Sequence, residues 1–338
     1  MVHEILPQNP LKDEKRVQTE PLFGQLNGAK DVLSSEGATK KMQHTGLYLS
    51  QVERDSLGER PHRGLASTIA IVTGAGARGY SIGIGRAAAI MLAEAGANVI
   101  CVDKDHESAQ RTVEMIQYLH LEGRAVAWTA DITNERQCQE VVDFTLREFG
   151  RVDILVNNVG IHGAKGTAET VDLAYWDSAM QVNVKSMIAM SKYAIPAMKQ
   201  EKPGHYGKVR GRIINIASVN GIRGGSPDIL YPTSKGAIVN MTRAMAAHHG
   251  PSGITVNCVC PGAVYTPMVG GFEGGTMNVE IRKSRAQRSL LGTEGNGWDV
   301  GAAIRFLASE EARWITGVVL PVDAGATAAV GFGHNMGH

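Results

Sequence analysis

What the chain has little of sets its first limits. Four cysteines occur in 338 residues, and none forms a Cys-x-x-Cys pair or stands near histidines at metal-ligand intervals. That argues against a disulfide framework and a thiolate metal site, so no metal is expected. Cys101, Cys138, Cys258 and Cys260 read as reduced, mostly buried thiols of a cytoplasmic protein. No uninterrupted apolar run approaches the ~18 residues of a membrane span. Lys12-Asp13-Glu14-Lys15-Arg16 follows Met1 too closely for the apolar core of a signal peptide. A formal net charge of +1 gives no overall attraction to nucleic acid or a membrane surface. Hydrophobic residues make up 43% of the chain, enough for a substantial core, and 40 glycines gather in particular loops instead of forming a repeat.

Residues 1–65 differ from the remainder. They are rich in Lys, Glu, Gln, Gly and Ser, and their apolar residues follow no strong period. This composition predicts a partly disordered extension without chemistry of its own. The alternative is that Leu47-Tyr48-Leu49 docks on the main domain or on a neighbouring subunit.

From Thr68 the pattern changes. The apolar run Ile69-Ala70-Ile71-Val72 leads into Thr73-Gly74-Ala75-Gly76, and after Gly83-Ile84-Gly85 an Ala-rich stretch, 86–95, ends at Gly96. This reads as strand, glycine loop and helix. Such glycines allow close backbone approach to a pyrophosphate, whose charge meets the N–H groups of the helix start. The next strand, 98–102, ends on Asp103, eighteen residues beyond Gly85, where a carboxylate can accept from the ribose hydroxyls of an adenosine. Helix 106–122 with Gly123 as its stop, strand 125–129, the turn Asp131-Ile132-Thr133, helix 134–149 and strand 152–156 follow. The last of these runs into Asn157-Asn158-Val159-Gly160. Alternating strands and helices imply a doubly wound parallel α/β sheet of Rossmann type, with ligands outside the carboxyl ends of the strands.

The second half keeps this rhythm. A helix over 173–198 contains Asn183, and strand 212–216 ends near Ser218. Strand 255–259 runs into Pro261-Gly262-Ala263-Val264-Tyr265-Thr266. A Gly-rich region, 269–276, precedes a segment over 278–291 that carries Arg282, Lys283, Arg285 and Arg288, a charge cluster suited to anionic or acidic phenolic substrates, the alternative being a solvated helix face. Helix 298–308 and strand 318–322 complete the sheet, leaving a C-terminal tail. Domain bounds are therefore 1–65 for the extension, 66–325 for one nucleotide-binding and catalytic domain, and 326–338 for the tail. In Tyr231-Pro232-Thr233-Ser234-Lys235 a phenol and an ammonium stand four positions apart at a helix start, with Pro232 tolerated in the first turn. That spacing shares a helix face. A cation there favours the phenolate and lowers the phenol's pKa, which suits an acid/base.

Thr73-Gly74 with Gly83-Ile84-Gly85, Asp131-Ile132, Asn157-Asn158-Val159-Gly160, Asn183, Ser218, Tyr231 with Lys235, and the Pro261 to Thr266 run occur in an order that resembles the short-chain dehydrogenases/reductases. The resemblance covers about 65–325. It implies reversible alcohol/carbonyl oxidoreduction with a nicotinamide cofactor, NAD being favoured by Asp103 and NADP being the alternative. It further implies Tyr231 as general acid/base, Lys235 lowering the phenol pKa and holding the nicotinamide ribose, and Ser218 bonding the substrate oxygen. Asn183 is implied to anchor a water. Gly74, Gly83, Ile84 and Gly85 are implied to meet the phosphates, Asp131 and Ile132 the adenine, Asn158 its ribose, and Val264 and Thr266 the carboxamide. The partner is a small carbonyl or alcohol, in a homodimer or homotetramer. Two departures stand out: Arg78-Gly79-Tyr80-Ser81 lengthens the first glycine loop, and Val159 replaces the family's usual Ala. An enoyl-type C=C reductase and a catalytically silent dinucleotide-binding module are the competing readings.

Overall fold

The computed structural model describes residues 60–200, 209–270 and 277–329. The apolar run after Thr68 is β1 (Ile69–Thr73), with all five residues buried. Burial on both faces requires apolar side chains at every position, which is why the sequence shows a run and not an alternation. The same holds for β4 (Ile154–Asn157), β6 (Ile254–Pro261) and most of β2 (Asn98–Asp103) and β5 (Gly211–Ile216). With β3 (Ala125–Thr129) and β9 (Val319–Val322) they form one seven-stranded parallel sheet in the order β3-β2-β1-β4-β5-β6-β9. Chain order reverses between β1 and β4, so a crevice opens there at the carboxyl ends.

Helices cover both faces. α1 (Ile84–Glu94), α2 (His106–Tyr118) and α9 (Gly297–Ala308) pack on one side, with Val99 and Cys101 of β2 pointing to them. α3 (Glu135–Phe149), α5 (Ser186–Gln200) and α6 (Leu230–His249) pack on the other, met by Ile100 and Val102. The alternation of β2 side chains thus divides the core in two. Short elements complete the frame: α4 (Leu173–Met180), β7 (Val264–Tyr265), α7 (Pro267–Gly270), α8 (Val279–Ala286) and β8 (Gly295–Asn296).

Several boundaries differ from the sequence-based expectation. α2 stops at Tyr118, not 122, because His120 takes a positive φ of 49°. Gly123 serves packing instead: a Cβ there would lie 1.8 Å from the Ala97 carbonyl oxygen. The helix expected over 173–198 contains a π-helical turn, Gln181–Lys185, that joins α4 to α5 around Asn183. The main domain starts earlier than residue 66, since Leu65 is buried and donates its N–H to Ala95. It also extends beyond 325: Asp323 accepts from the backbone N–H groups of Gly325 and Thr327, and Ala326 is buried. The Leu47-Tyr48-Leu49 group, the rest of the expected extension through residue 59, most of the Gly-rich stretch and residues 330–338 lie outside the described residues. All four cysteines are free and buried, and no described helix is long and apolar enough to cross a membrane.

Candidate active site

The loop from β1 to α1 closes on itself through glycine. A Cβ on Gly85 would stand 2.0 Å from the Gly74 carbonyl oxygen and 2.5 Å from Asn158 Nδ2, so no larger residue fits. Asn158 Nδ2 donates to the carbonyls of Thr73 and Gly74, at 3.1 and 3.0 Å, bracing the loop from the end of β4. α1 begins at Gly83 with no side-chain cap, and Gly83, Ile84 and Gly85 line the adjoining cavity. The orphan N–H groups of a helix start, presented to a cavity, suit an anion.

That cavity, about 520 Å³, is lined by every residue implied above except Asn183, which sits behind it. Asp103 Oδ2 accepts from Gly76 N at 3.0 Å and Oδ1 from Asp105 N at 3.1 Å, which fixes the carboxylate at the rim. Asp131 binds the Thr133 hydroxyl and N–H through Oδ1, and these bonds hold its pKa below the usual carboxylate value. Ile132 is buried beneath the cavity, and Val264 and Thr266 close its opposite end. A glycine cradle, an uncapped helix start and a carboxylate at the next strand end fit a nicotinamide dinucleotide. Among the described residues no cluster could hold a metal ion.

Lys235 is buried in the first turns of α6 and donates from Nζ to the Ile216 carbonyl at 3.0 Å. It reaches that position because Gly160 lacks a side chain; a Cβ there would be 3.1 Å from Nζ. Nζ lies 5.7 Å from the Tyr231 ring centroid, so the four-residue spacing does bring the two together. The electrostatics differ from expectation. Burial raises the Tyr231 phenol above its usual value, and the hydrogen bond with Ser218 opposes this only in part. Burial also pushes the Lys235 ammonium down to about 8. A desolvated cation bound to a carbonyl does not offset the desolvation of the phenol. The His162 ring lies over that of Tyr231 at a centroid distance of 4.9 Å, and burial, then the Lys235 charge, lowers its pKa.

Asn183 is fully buried in the π-helical turn, and such turns recur at functional sites. Its Nδ2 donates to the Ile161 carbonyl and the Ser234 hydroxyl, both at 2.9 Å, while Oδ1 accepts from Ile161 N at 2.7 Å. Both N–H groups are therefore committed to protein, and the side chain clamps the segment after β4 to α6.

A second cavity, about 590 Å³, shares Ser218, Tyr231 and His162 with the first and extends to polar residues of the α8 to β8 region. The expected four-cation cluster is divided there. Arg282 and Arg285 both pair with the buried Glu294, at 2.8 Å and through a closer contact, and Lys283 pairs with Glu280 at 3.1 Å on the outside. Arg288 faces the cavity together with Arg223, which sequence reasoning missed. Arg86 was missed as well. It is fully buried and gathers the lengthened loop by five hydrogen bonds; its place directly after Gly83-Ile84-Gly85 was the only available signal.

Comparison with known proteins agrees with this geometry. A family profile described as enoyl-(acyl carrier protein) reductase matches residues 79–327. Meso-2,3-butanediol dehydrogenase of Serratia marcescens is 35% identical over 263 residues, 78% of this chain and 96% of that one. The 7alpha-hydroxysteroid dehydrogenase of Bacteroides fragilis is 33% identical, with 77% and 94% covered. Among solved structures, one assigned to the short-chain dehydrogenases/reductases from Burkholderia xenovorans superposes with a TM-score of 0.71 at 35% identity, covering 79% of this chain and 99% of that chain. Fold, site residues and relatives together establish that the chain belongs to the short-chain dehydrogenase/reductase family.

Proposed function

We propose that this oxidoreductase interconverts a secondary alcohol and its ketone with NAD in preference to NADP, using Tyr231 as general acid/base. The observation that carries the reading is that Ser218 and Tyr231 stand on the wall shared by two cavities, with Lys235 beside Tyr231 in the first. One has the features of a dinucleotide site, and the other leaves room for the substrate. When bound, the nicotinamide supplies or accepts the hydride. The Tyr231 hydroxyl donates its proton to the carbonyl oxygen during reduction, and its phenolate takes the hydroxyl proton during oxidation. Ser218 offers a hydrogen bond to the same oxygen as charge develops. Lys235 keeps a cation beside the phenol and has N–H groups for a ribose. Asn183 holds both the Ile161 segment and Ser234, next to Lys235, in place.

Asp103 supports NAD because a carboxylate about 4 Å from a phosphate at an effective dielectric of 20 costs about 4 kcal/mol per unit charge. Lys104, also at the cavity, offsets part of this. The matched profile's description raises carbon–carbon double-bond reduction as a second reading. The hydroxyl of Ser218 bonded to Tyr231 favours a carbonyl oxygen instead. Exposed Leu173, Tyr175 and Ile188 on consecutive helices support a homodimer or homotetramer. A small-molecule substrate and a cytoplasmic setting complete the proposal.

Turnover of a panel of ketones and secondary alcohols by wild type and Tyr231→Phe tests it. The variant is expected to lose a factor of about 10² to 10⁴, the usual contribution of general acid/base catalysis, while binding NADH normally. Undiminished turnover would refute the mechanism. A wild type that binds NADH but turns over no panel member would support the silent module.

A further inference from the structure

The lengthened glycine loop poses a physical problem. Insertion of Arg78-Gly79-Tyr80-Ser81 between the two glycine-bearing ends of a phosphate cradle adds freedom where a fixed backbone is required. Gly79 takes a positive φ of 55° and Tyr80 is 75% exposed, so neither residue is held by packing. Left untied, the insertion would spread over the mouth of the cavity.

Arg86 ties it back. One face of the guanidinium fork receives the insertion: Nη1 donates to the carbonyls of Gly79 and Ser81, both at 2.7 Å, and Nη2 to that of Ala77 at 2.8 Å. The remaining donors anchor the fork to α2, Nη2 to the Ser108 carbonyl at 3.2 Å and Nε to the Thr112 hydroxyl at 2.9 Å. Thr112 in turn donates to the Ala75 carbonyl at 2.8 Å, so the start of the loop joins the same network. All five N–H groups of the side chain are used, in the planar geometry that only Arg supplies. The outcome is visible in the lining of the cavity. Gly76 and Ala77 on one side and Gly83, Ile84 and Gly85 on the other reach it, whereas residues 78–82 do not. A second feature accompanies the geometry. Among the described residues no carboxylate hydrogen-bonds this fully buried cation, and the nearby Asp103 charge favours it, beneath a loop suited to an anion.

We propose that Arg86 is the positioning residue that makes the lengthened loop a competent cradle for the diphosphate of a dinucleotide, a role that rests on the dinucleotide reading of the first cavity. Arg86 touches no cofactor atom in this scheme. It acts through the carbonyls it withdraws and the loop ends it thereby fixes.

The test compares ligands with and without a diphosphate. Calorimetric titration with ADP-ribose and with adenosine is run on wild type, Arg86→Met, Arg86→Lys and Thr112→Val. Arg86→Met is expected to weaken ADP-ribose at least tenfold and adenosine less than twofold. In turnover it should raise KM for NAD with kcat at saturation within twofold. Arg86→Lys keeps the charge but not the fork and should recover only part of the affinity. Thr112→Val, a volume-conserving change that removes one anchor, should weaken ADP-ribose two- to fivefold and decides the matter if Arg86→Met fails to fold. Wild-type ADP-ribose affinity in the folded Arg86→Met protein, or in Thr112→Val when that variant stands in for it, overturns the proposal. So do equal losses for adenosine and ADP-ribose, which would mean a general loosening. Failure of wild type to bind either ligand would overturn both this role and the dinucleotide reading, while ADP-ribose binding insensitive to Arg86 would overturn this role alone.

Discussion

Replacing Lys235 with Met should make the cofactor-free protein more stable while removing its activity. The ammonium is buried and has a single hydrogen-bond acceptor, the Ile216 carbonyl at 3.0 Å. Its pKa falls from 10.5 to about 8, with burial the leading cause. Each unit corresponds to 1.36 kcal/mol, so keeping this charge in the fold at pH 7 costs about 3 kcal/mol. Met fits the space of the aliphatic stem without the charge. It leaves the Ile216 carbonyl without that donor, a loss of about 1 to 2 kcal/mol. The balance is a gain of about 1 to 2 kcal/mol, or about 2 to 8 °C in Tm for a domain of this size. The pH dependence carries a sign that a packing change alone would not produce. Between about pH 8 and 10.5 the unfolded chain holds a proton on Lys235 that the folded protein has released. Stability of the wild type therefore rises with pH through that window, relative to the variant. The variant's advantage is complete below about pH 8, is lost at about pH 9, and turns into a deficit of about 1 to 2 kcal/mol toward 10.5, where only the missing hydrogen bond remains. Thermal and urea unfolding of both cofactor-free proteins from pH 6 to 10 measures it. A variant less stable than wild type at pH 7, with a difference that does not change with pH, would refute this account of the buried ammonium.

Other outcomes follow from the same site. Asp103→Asn should shift the ratio of kcat/KM for NADH over NADPH at least tenfold toward NADPH; an unchanged ratio in steady-state kinetics would remove Asp103 from cofactor choice. In the cofactor-free protein, burial should make the Tyr231 phenol ionise above the usual ~10. Ultraviolet difference titration of wild type against Tyr231→Phe reads this, and a midpoint below 9 would contradict it. Arg223→Gln and Arg288→Gln should raise KM for a ketone bearing a remote carboxylate and spare its methyl ester, whereas Arg282→Gln, whose partner is Glu294, should not discriminate. Equal effects on acid and ester would end that idea. A chain beginning at Arg63 retains the Arg63 to Glu311 ion pair and the buried Leu65, and should fold and turn over. Loss of solubility or of its oligomeric state on light scattering would give the preceding residues a structural role.

The sequence by itself determined the fold class, and it did so by local means. Doubly buried strands must be apolar throughout, and a backbone that approaches another backbone must be glycine, so β1, β6 and Gly85 are written in residue type. The Tyr231 and Lys235 pair was legible for a similar reason, because helical geometry alone makes residues four apart neighbours. Boundaries were less legible where tertiary contacts overrode local signals. Gly123 looked like a helix stop but is required by the Ala97 carbonyl, and the π-helical turn at Gln181–Lys185 has no compositional mark. Only the tertiary structure decided the electrostatics, since desolvation depends on everything packed around a group. It raised the phenol of Tyr231 where a neighbouring cation suggested the reverse. It also decided which cations are committed. Arg282 and Arg285 share Glu294, and Arg86 bonds carbonyls of the lengthened loop together with the Ser108 carbonyl and Thr112 hydroxyl of α2, partners up to 26 residues away along the chain that no spacing rule connects.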